Sequence, residues 1–306
     1  MRNLQTLAAI LKIDRFLTKP GRHFGGLKAF SSAILLLSFI FYSIGCVQSP
    51  PADSSARPFT PEINSWQPRP NDRLQIQYAD YPPDLSVDAD VYSVDLFETS
   101  QESIDQLHAA GKKVICYLNT GSWEEYRPDA GDFPTKVVGN DYEGWPGEKW
   151  LDIRHYADFA LVMEKRFDLA MEKGCDGIDA DNMQNFNEDT GFNISAADQL
   201  AYNRWLSQQA HQRGLAIGLK NDLEQAAELV EAFDWALIED CQVYGWCSDM
   251  LPFTQTGKAV FQVEYSDNWA SPEQFCGEAL THGYSALFKN RELDAWVSYC
   301  DLPESE

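Results

Sequence analysis

Gly174-Cys175-Asp176-Gly177-Ile178-Asp179-Ala180-Asp181-Asn182 is the stretch whose reading decides the fold. It follows Phe159, Val162, Met163, Phe167 and Ala170, whose spacing sets them on one face of a helix, and Gly174 is the residue type that ends helices. Gly177–Asp181 then reads as a short strand. Side chains alternate along a strand, so Asp179 and Asp181 share a side, toward the interior and mouth of a closed sheet. A charged residue closing a buried strand is costly unless it has a task. Asp179, one step deeper, reads as structural or as an electrostatic neighbour, and Asp181, at the rim, can touch substrate.

The same unit recurs in both directions along the chain. Apolar runs at Leu74–Ala79, Val91–Phe97, Lys113–Leu118, Gly177–Asp181, Leu215–Lys220, Trp235–Glu239, Ala259–Tyr265 and Tyr284–Lys289 make eight strands. Their length and composition suit strands buried on both faces. Helix signals lie between them. Ser100 precedes a helix over 101–110, Ser195-Ala-Ala-Asp198 is a capping box, and Ser271-Pro272 sets proline just after an N-cap. Gly111, Gly174, Gly214 and Gly283 each end a helix directly before a strand. This alternation predicts an α/β fold with a parallel sheet, and eight units of it predict a single (β/α)8 TIM barrel over residues 66–306. An open doubly wound sheet would usually carry a Gly-x-Gly-x-x-Gly turn after its first strand, and the sequence has none.

The rhythm breaks after the third strand, between Asn119 and Arg154. That long loop holds Trp123, Tyr126, Tyr142, Trp145 and Trp150 among prolines and glycines. Loops at the carboxyl ends of barrel strands build the active site. At least two of these rings are expected to stack on the apolar faces of a sugar.

The amino-terminal fifth has another character. Residues 1–46 carry six Lys/Arg against one acid, and the apolar run Ala33–Tyr42 leads to Ile44-Gly45-Cys46. A basic region, a short apolar core and a small residue before a cleavage point predict an export signal. The run is short of the roughly 20 residues that span a bilayer. Ile-Gly-Cys resembles the end of a bacterial lipoprotein signal, which implies lipid on Cys46 and a membrane anchor for an exported protein. Residues 47–65, rich in Pro, Ser and Ala, read as a flexible tether. The whole chain has a net charge of −23, and removing residues 1–46 leaves 18 basic and 46 acidic residues, a net charge of −28. That field repels nucleic acid and attracts a cationic substrate, and it also serves solubility. Six cysteines remain beside Cys46. Local spacing favours Cys241 with Cys247 and Cys276 with Cys300, while Cys116 and Cys175, in apolar segments, read as buried thiols.

Polar residues crowd the strand ends: Asp95, Asn119, Asp179, Asp181, Lys220, Asn221, Glu239, Asp240, Glu264, Tyr265 and Lys289. Two carboxylates across a barrel mouth are what glycosidic cleavage requires, one protonating the leaving oxygen and the other attacking the anomeric carbon or activating water. Competing chemistries fit poorly. No His-Glu-x-x-His is present, Met183 and Gln184 spoil a calcium-loop reading of the segment after Asp179, and Gly283-Tyr-Ser-Ala-Leu287 lacks the second glycine of a nucleophile elbow. No metal is expected.

Taken together, Gly174–Asn182, Val114-Ile-Cys-Tyr-Leu-Asn119, Trp150-Leu-Asp-Ile153 and Leu219-Lys-Asn221 resemble glycoside hydrolase family 114, the endo-α-1,4-polygalactosaminidases, from about Trp66 to Leu293. The resemblance implies a cofactor-free (β/α)8 barrel acting on α-1,4-linked galactosamine polymers, which are cationic when deacetylated. It implies Asp181 as nucleophile and Glu239 as acid/base of a retaining mechanism. Asp95, Asn119, Trp123, Asp152, Asp179, Asn182, Lys220, Asn221, Glu264, Tyr265 and Lys289 are then the candidate substrate-binding residues. Glu239 stands in Ile238-Glu-Asp-Cys241, where the family pattern commonly reads Asn-Glu-Gln-Cys, so Asp240 is a departure. A non-catalytic amino-sugar polymer-binding lipoprotein, or a glycosidase for another α-linkage, is the alternative.

Overall fold

The computed structural model describes residues 66–300. The export signal, Cys46 and the tether lie outside the described residues. Twelve strands run in chain order: β1 Leu74–Gln77, β2 Val91–Asp95, β3 Lys113–Asn119, β4 Ser122–Glu124, β5 Val138–Asp141, β6 Glu148–Leu151, β7 Gly177–Asp181, β8 Ala216–Lys220, β9 Trp235–Glu239, β10 Val260–Tyr265, β11 Ser285–Lys289 and β12 Val297–Tyr299. Seven α-helices accompany them: α1 Gln101–Ala109, α2 Ala160–Glu172, α3 Ala196–Gln212, α4 Ala226–Leu229, α5 Cys241–Tyr244, α6 Leu251–Gln255 and α7 Cys276–His282. None is long and apolar enough to cross a membrane.

The eight expected strands pair in parallel in sequence order, β1-β2-β3-β7-β8-β9-β10-β11. The ring closes differently from the expectation. β11 pairs with the antiparallel strand β12, and the backbone N–H groups of Tyr78 and Ala79, just past β1, bond the Leu293 carbonyl at 3.0 and 3.2 Å. The chain after β11 therefore fills the seam and satisfies edge groups that would otherwise be orphaned.

The local signals work as the residues suggest. Ser100 accepts from Ser103 N–H, Ser195 and Asp198 form a capping box, and Ser271 forms another with Gln274 ahead of α7. Gly111, Gly174, Gly214 and Gly283 all have φ between 72° and 78°, the left-handed turn that releases a helix into the next strand. The helical stripe from Phe159 to Ala170 is buried against the outer face of the sheet.

A second apolar cluster fills the bore, with Leu74, Ile76, Val91, Ile115, Trp235, Leu237, Phe261 and Val263 among its members. Trp235 lies across the floor. A Cβ on Gly218 would stand 2.2 Å from its Nε1, and one on Gly177 2.7 Å from its ring, so two neighbouring strands need glycine to admit one indole.

The aromatic loop after β3 folds as its own three-stranded antiparallel sheet, β4-β6-β5. Three disulfides are present: Cys241–Cys247, Cys276–Cys300 and Cys116–Cys175. The last corrects the reading of Cys116 and Cys175 as thiols, because parallel pairing of β3 with β7 brings Cys175, just before β7, beside Cys116 with 5.9 Å between Cα atoms.

Candidate active site

Alternation along neighbouring strands sorts the mouth. Gly177, Asp179 and Asp181 share a face of β7, as do Ala216, Gly218 and Lys220 on β8, Trp235, Leu237 and Glu239 on β9, and Phe261, Val263 and Tyr265 on β10. Each row ends at the rim on a polar residue. Directly after three of them the backbone turns left-handed, with φ of 60° at Asn182, 51° at Asn221 and 55° at Asp240. Asn and Asp tolerate that region better than most residues. The turn takes the chain out of the strand at once and leaves the last inward side chain at the edge of the cleft. Asn221 also accepts the Glu239 backbone N–H at 3.0 Å, tying β8 to β9 at this level.

Lys220 joins the two lead acids. Its Nζ lies 3.2 Å from Asp181 Oδ1 and 3.3 Å from Glu239 Oε2, with the lysine side chain 5% exposed. Burial alone would lower its pKa, but the charges of Asp181 and Glu239, then Asp179, outweigh burial and hold it well above the ordinary lysine value. The cleft thus contains a fixed ammonium. Tyr117 donates to Asp181 Oδ2 at 3.1 Å, and Tyr265 donates to Glu239 Oε1. Burial first, then the facing carboxylate, pushes both phenols well above their usual range, so both stay protonated and remain donors. Arg291 lies 3.8 Å from the centre of the Tyr265 ring and is itself held by Asp240 and Asp267. Asp240, the departure from the family pattern, therefore anchors the arginine that covers this tyrosine. Deeper in the bore Asp179 accepts from Tyr78 at 2.5 Å and Ser93 at 3.2 Å.

The loop sheet supplies the remaining wall. Tyr142, Trp145 and Glu148 line the cleft with Tyr117, Asp181, Asn182, Gln184, Lys220, Asn221 and Glu239. Tyr142 packs on Trp150 with ring centres 4.2 Å apart, leaving Trp145 54% exposed as a platform. Gly121 lets this loop approach β7, since a Cβ there would sit 1.7 Å from the Asn182 carbonyl.

Of the candidates from sequence, Asp181, Asn182, Lys220, Asn221 and Glu239 line the cleft, and Tyr265 and Asp179 stand immediately behind it. Asn119 lies under the loop, where it bonds Ser122 and Glu148. The remaining five are held in other networks. Asp95 makes a two-pronged pair with Arg127, and Trp123 donates to the Ala130 carbonyl. Asp152 is held by Arg154 and His155. Glu264 faces the opposite side of β10 from Tyr265 and binds Gln242, Gln262 and Trp269. Lys289 donates to Gln75 and to the Asp294 and Trp296 carbonyls at the seam, where burial lowers its pKa to about 8. Tyr78, Tyr117, Glu148, Gln184 and Arg291 were missed. Tyr117 was legible, since alternation from Asn119 places it on the same face.

Among the described residues the grouping nearest a metal site is Cys241, Cys247 and Glu264, and its cysteines are joined in a disulfide, leaving no thiolate to ligate.

A parallel barrel with paired carboxylates at the carboxyl ends of its strands is the architecture of a glycoside hydrolase. The model of glycoside-hydrolase family GH114 matches residues 56–304, and the chain belongs to that family. It is 37% identical to Aspergillus fumigatus Ega3, solved in complex with galactosamine, with a TM-score of 0.74 over 77% of this chain and 97% of that one. The glycoside hydrolase domain of PelA from Pseudomonas aeruginosa shares the fold at 15% identity, with a TM-score of 0.58 over 74% of this chain and 97% of that domain. No curated protein sequence matches.

Proposed function

We propose that this chain is an exported hydrolase that cleaves α-1,4-linked galactosamine-containing polysaccharide internally, with retention of configuration, using Asp181 as nucleophile and Glu239 as acid/base. The observation that carries the reading is the Asp181–Lys220–Glu239 bridge. Two carboxylate oxygens at 3.2 and 3.3 Å from one nitrogen stand no more than about 6.5 Å apart. Retaining enzymes hold their carboxyls roughly 5–5.5 Å apart, and inverting ones begin near 6.5 Å, the limit this bridge allows. Asp181 attacks the anomeric carbon while Glu239 gives its proton to the leaving oxygen. Esterification removes the charge on Asp181 and leaves Lys220 and Tyr265 to hold Glu239 in place while it takes a proton from the attacking water.

The substrate class is supported by the 37% identity to Ega3, whose structure holds galactosamine. The cleft lining agrees, with three carboxyl groups, Asp181, Glu239 and Glu148, and one lysine, Lys220. Three disulfides favour an oxidising compartment and hence export. Anchoring through lipid on Cys46 is part of the same proposal. It is tested by Cys46→Ser, which should move the protein out of the membrane fraction.

The decisive experiment is digestion of purified α-1,4-galactosamine polymer, with mass spectrometry of the products and NMR of the first anomer released. Short oligosaccharides with α-configured new ends support the proposal. Absence of cleavage removes the substrate, and β ends remove the mechanism.

A further inference from the structure

Helix α3 carries an asparagine where a helix has little use for one. Asn203 stands mid-helix and is fully buried. Asparagine favours turns over helix interiors, and a buried amide must find partners. Its Nδ2 donates to the Met183 carbonyl at 3.0 Å and to Asp222 Oδ2 at 2.9 Å. Its Oδ1 accepts from Gln199 Nε2, one turn earlier, at 2.8 Å, which fixes the way the amide points. One side chain therefore joins the turn after β7, at Met183, to the turn after β8, at Asp222. Asn221 and Asp222 are both left-handed, with φ of 51° and 47°. Two successive non-glycine residues persist in that region only where their surroundings hold them. The Asp222 N–H donates back to Gln184 Oε1 at 3.2 Å, and Asn221 accepts the Glu239 N–H at 3.0 Å. This chain of bonds holds the turns that follow Asp181 and Lys220, and the backbone of Glu239 itself.

We propose that Asn203 and Asp222 form one clasp, a pair of positioning residues that sets the separation of Asp181 and Glu239. This rests on the reading of those two acids as the catalytic pair. The retaining and inverting geometries differ by as little as about 1 Å in carboxyl separation. A misplacement of about 1 Å, caused far from the chemistry, can cost about a hundredfold in rate. Opening the clasp therefore slows the chemical step and leaves sugar binding largely alone. The second oxygen of Asp222, Oδ1, is buried and meets no donor among the described residues. Burial pushes this carboxyl up to about 7 against the hydrogen bond from Asn203, with Glu224 and Glu228 adding to the rise. Asparagine, which has the shape of the neutral acid, is thus its conservative substitute.

Steady-state kinetics on the intact protein test this. Asp222→Gly suits the left-handed turn and removes the carboxyl, and Asn203→Ala suits the helix and removes the amide. Each should lower kcat about ten- to hundredfold, with KM within about twofold of the parent. The double variant should be no slower than the slower single, since either change opens the same clasp. Asp222→Asn keeps both the turn and the acceptor and should hold kcat within about threefold of the parent. Full kcat in Asp222→Gly, losses that multiply in the double variant, or a raised KM at unchanged kcat each overturn the proposal. If Asn203→Ala fails to fold, Asp222→Gly decides alone, with Asp222→Asn as its rescue. A crystal structure of Asp222→Gly needs no turnover and so separates this inference from the proposed hydrolysis. Lys220 should lose one of its two carboxylates there, and an unchanged bridge overturns the clasp whatever the protein cuts. An opened bridge in a protein whose Asp181→Asn variant keeps its activity would keep the clasp and remove the proposed chemistry.

Discussion

The floor and the mouth of the barrel are built on the same strands and obey opposite rules. At the floor, Gly177, Gly218 and Trp235 solve a volume problem, in which one large ring is admitted by two missing side chains. At the mouth, two to four residues further along the same rows, Asp181, Lys220, Glu239 and Tyr265 solve a charge problem, in which each polar atom is met by an opposite partner. A substitution at the floor changes how well the protein fits together, and one at the mouth changes what protons and charges do. The fold keeps the two apart by distance along a strand, about 3.3 Å per residue.

The strongest test of that separation lies at the mouth. Asp181→Asn and Glu239→Gln should each lower kcat by a thousandfold or more while thermal unfolding stays close to that of the parent. Asp179→Asn should cost less, and a dead Asp179→Asn beside an active Asp181→Asn would overturn the assignment. The floor should respond in the other sense. Trp235→Ala should destabilise by about 3–5 kcal/mol through the void it leaves, and Gly218→Ala by about 1–3 kcal/mol through overpacking. Urea titration gives both values, and activity per folded molecule should hold in each.

A finer test removes one atom. Tyr265→Phe keeps the ring beneath Arg291 and deletes only the hydroxyl on Glu239. About a tenfold fall in kcat at constant KM is expected, with a loss of stability of at most about 1.5–3 kcal/mol, the net contribution of a hydrogen bond to a charged group.

The smallest effect concerns pH. Glu148 and Asp222 are both pushed up to about 7, chiefly by burial, so the folded protein holds their protons more tightly than the unfolded chain does. Their stabilising contribution is complete below the ordinary carboxylate range and is lost as pH rises through about 7. Glu148→Gln should therefore gain melting temperature relative to the parent between pH 4.5 and 7.5. A constant difference across that range would show that Glu148 does not titrate there.

Much of this was legible because strands announce themselves locally. Glycine-terminated helices followed by apolar runs gave the barrel, and the polar residues ending those runs gave Asp181, Lys220 and Glu239. Glu264 was separable from Tyr265 by the same alternation, since Phe261, Val263 and Tyr265 form one row and Gln262 and Glu264 the other. Other features depend on contacts remote in sequence. β12 is three half-buried residues without an apolar run, and it exists because the barrel seam offers unpaired backbone groups. Glu148 sits on a loop strand, and its environment comes from Ser122, Tyr126 and Asn119, residues 22 to 29 positions away. Cys116 and Cys175 are 59 residues apart, beyond what local spacing can pair.

That last bond encloses more than it joins. The ring closed by Cys116 and Cys175 contains the whole excursion that carries Tyr142, Trp145 and Glu148, together with α2 and its return to the barrel. A protease that nicked the exposed turn around Gly144 would sever the chain there without freeing a fragment, because both halves stay stitched through β3 and the entry to β7. The cleft wall would be cut yet still moored, and only a reductant would let the two pieces part. An exposed part of the enzyme's machinery is thereby protected against being lost.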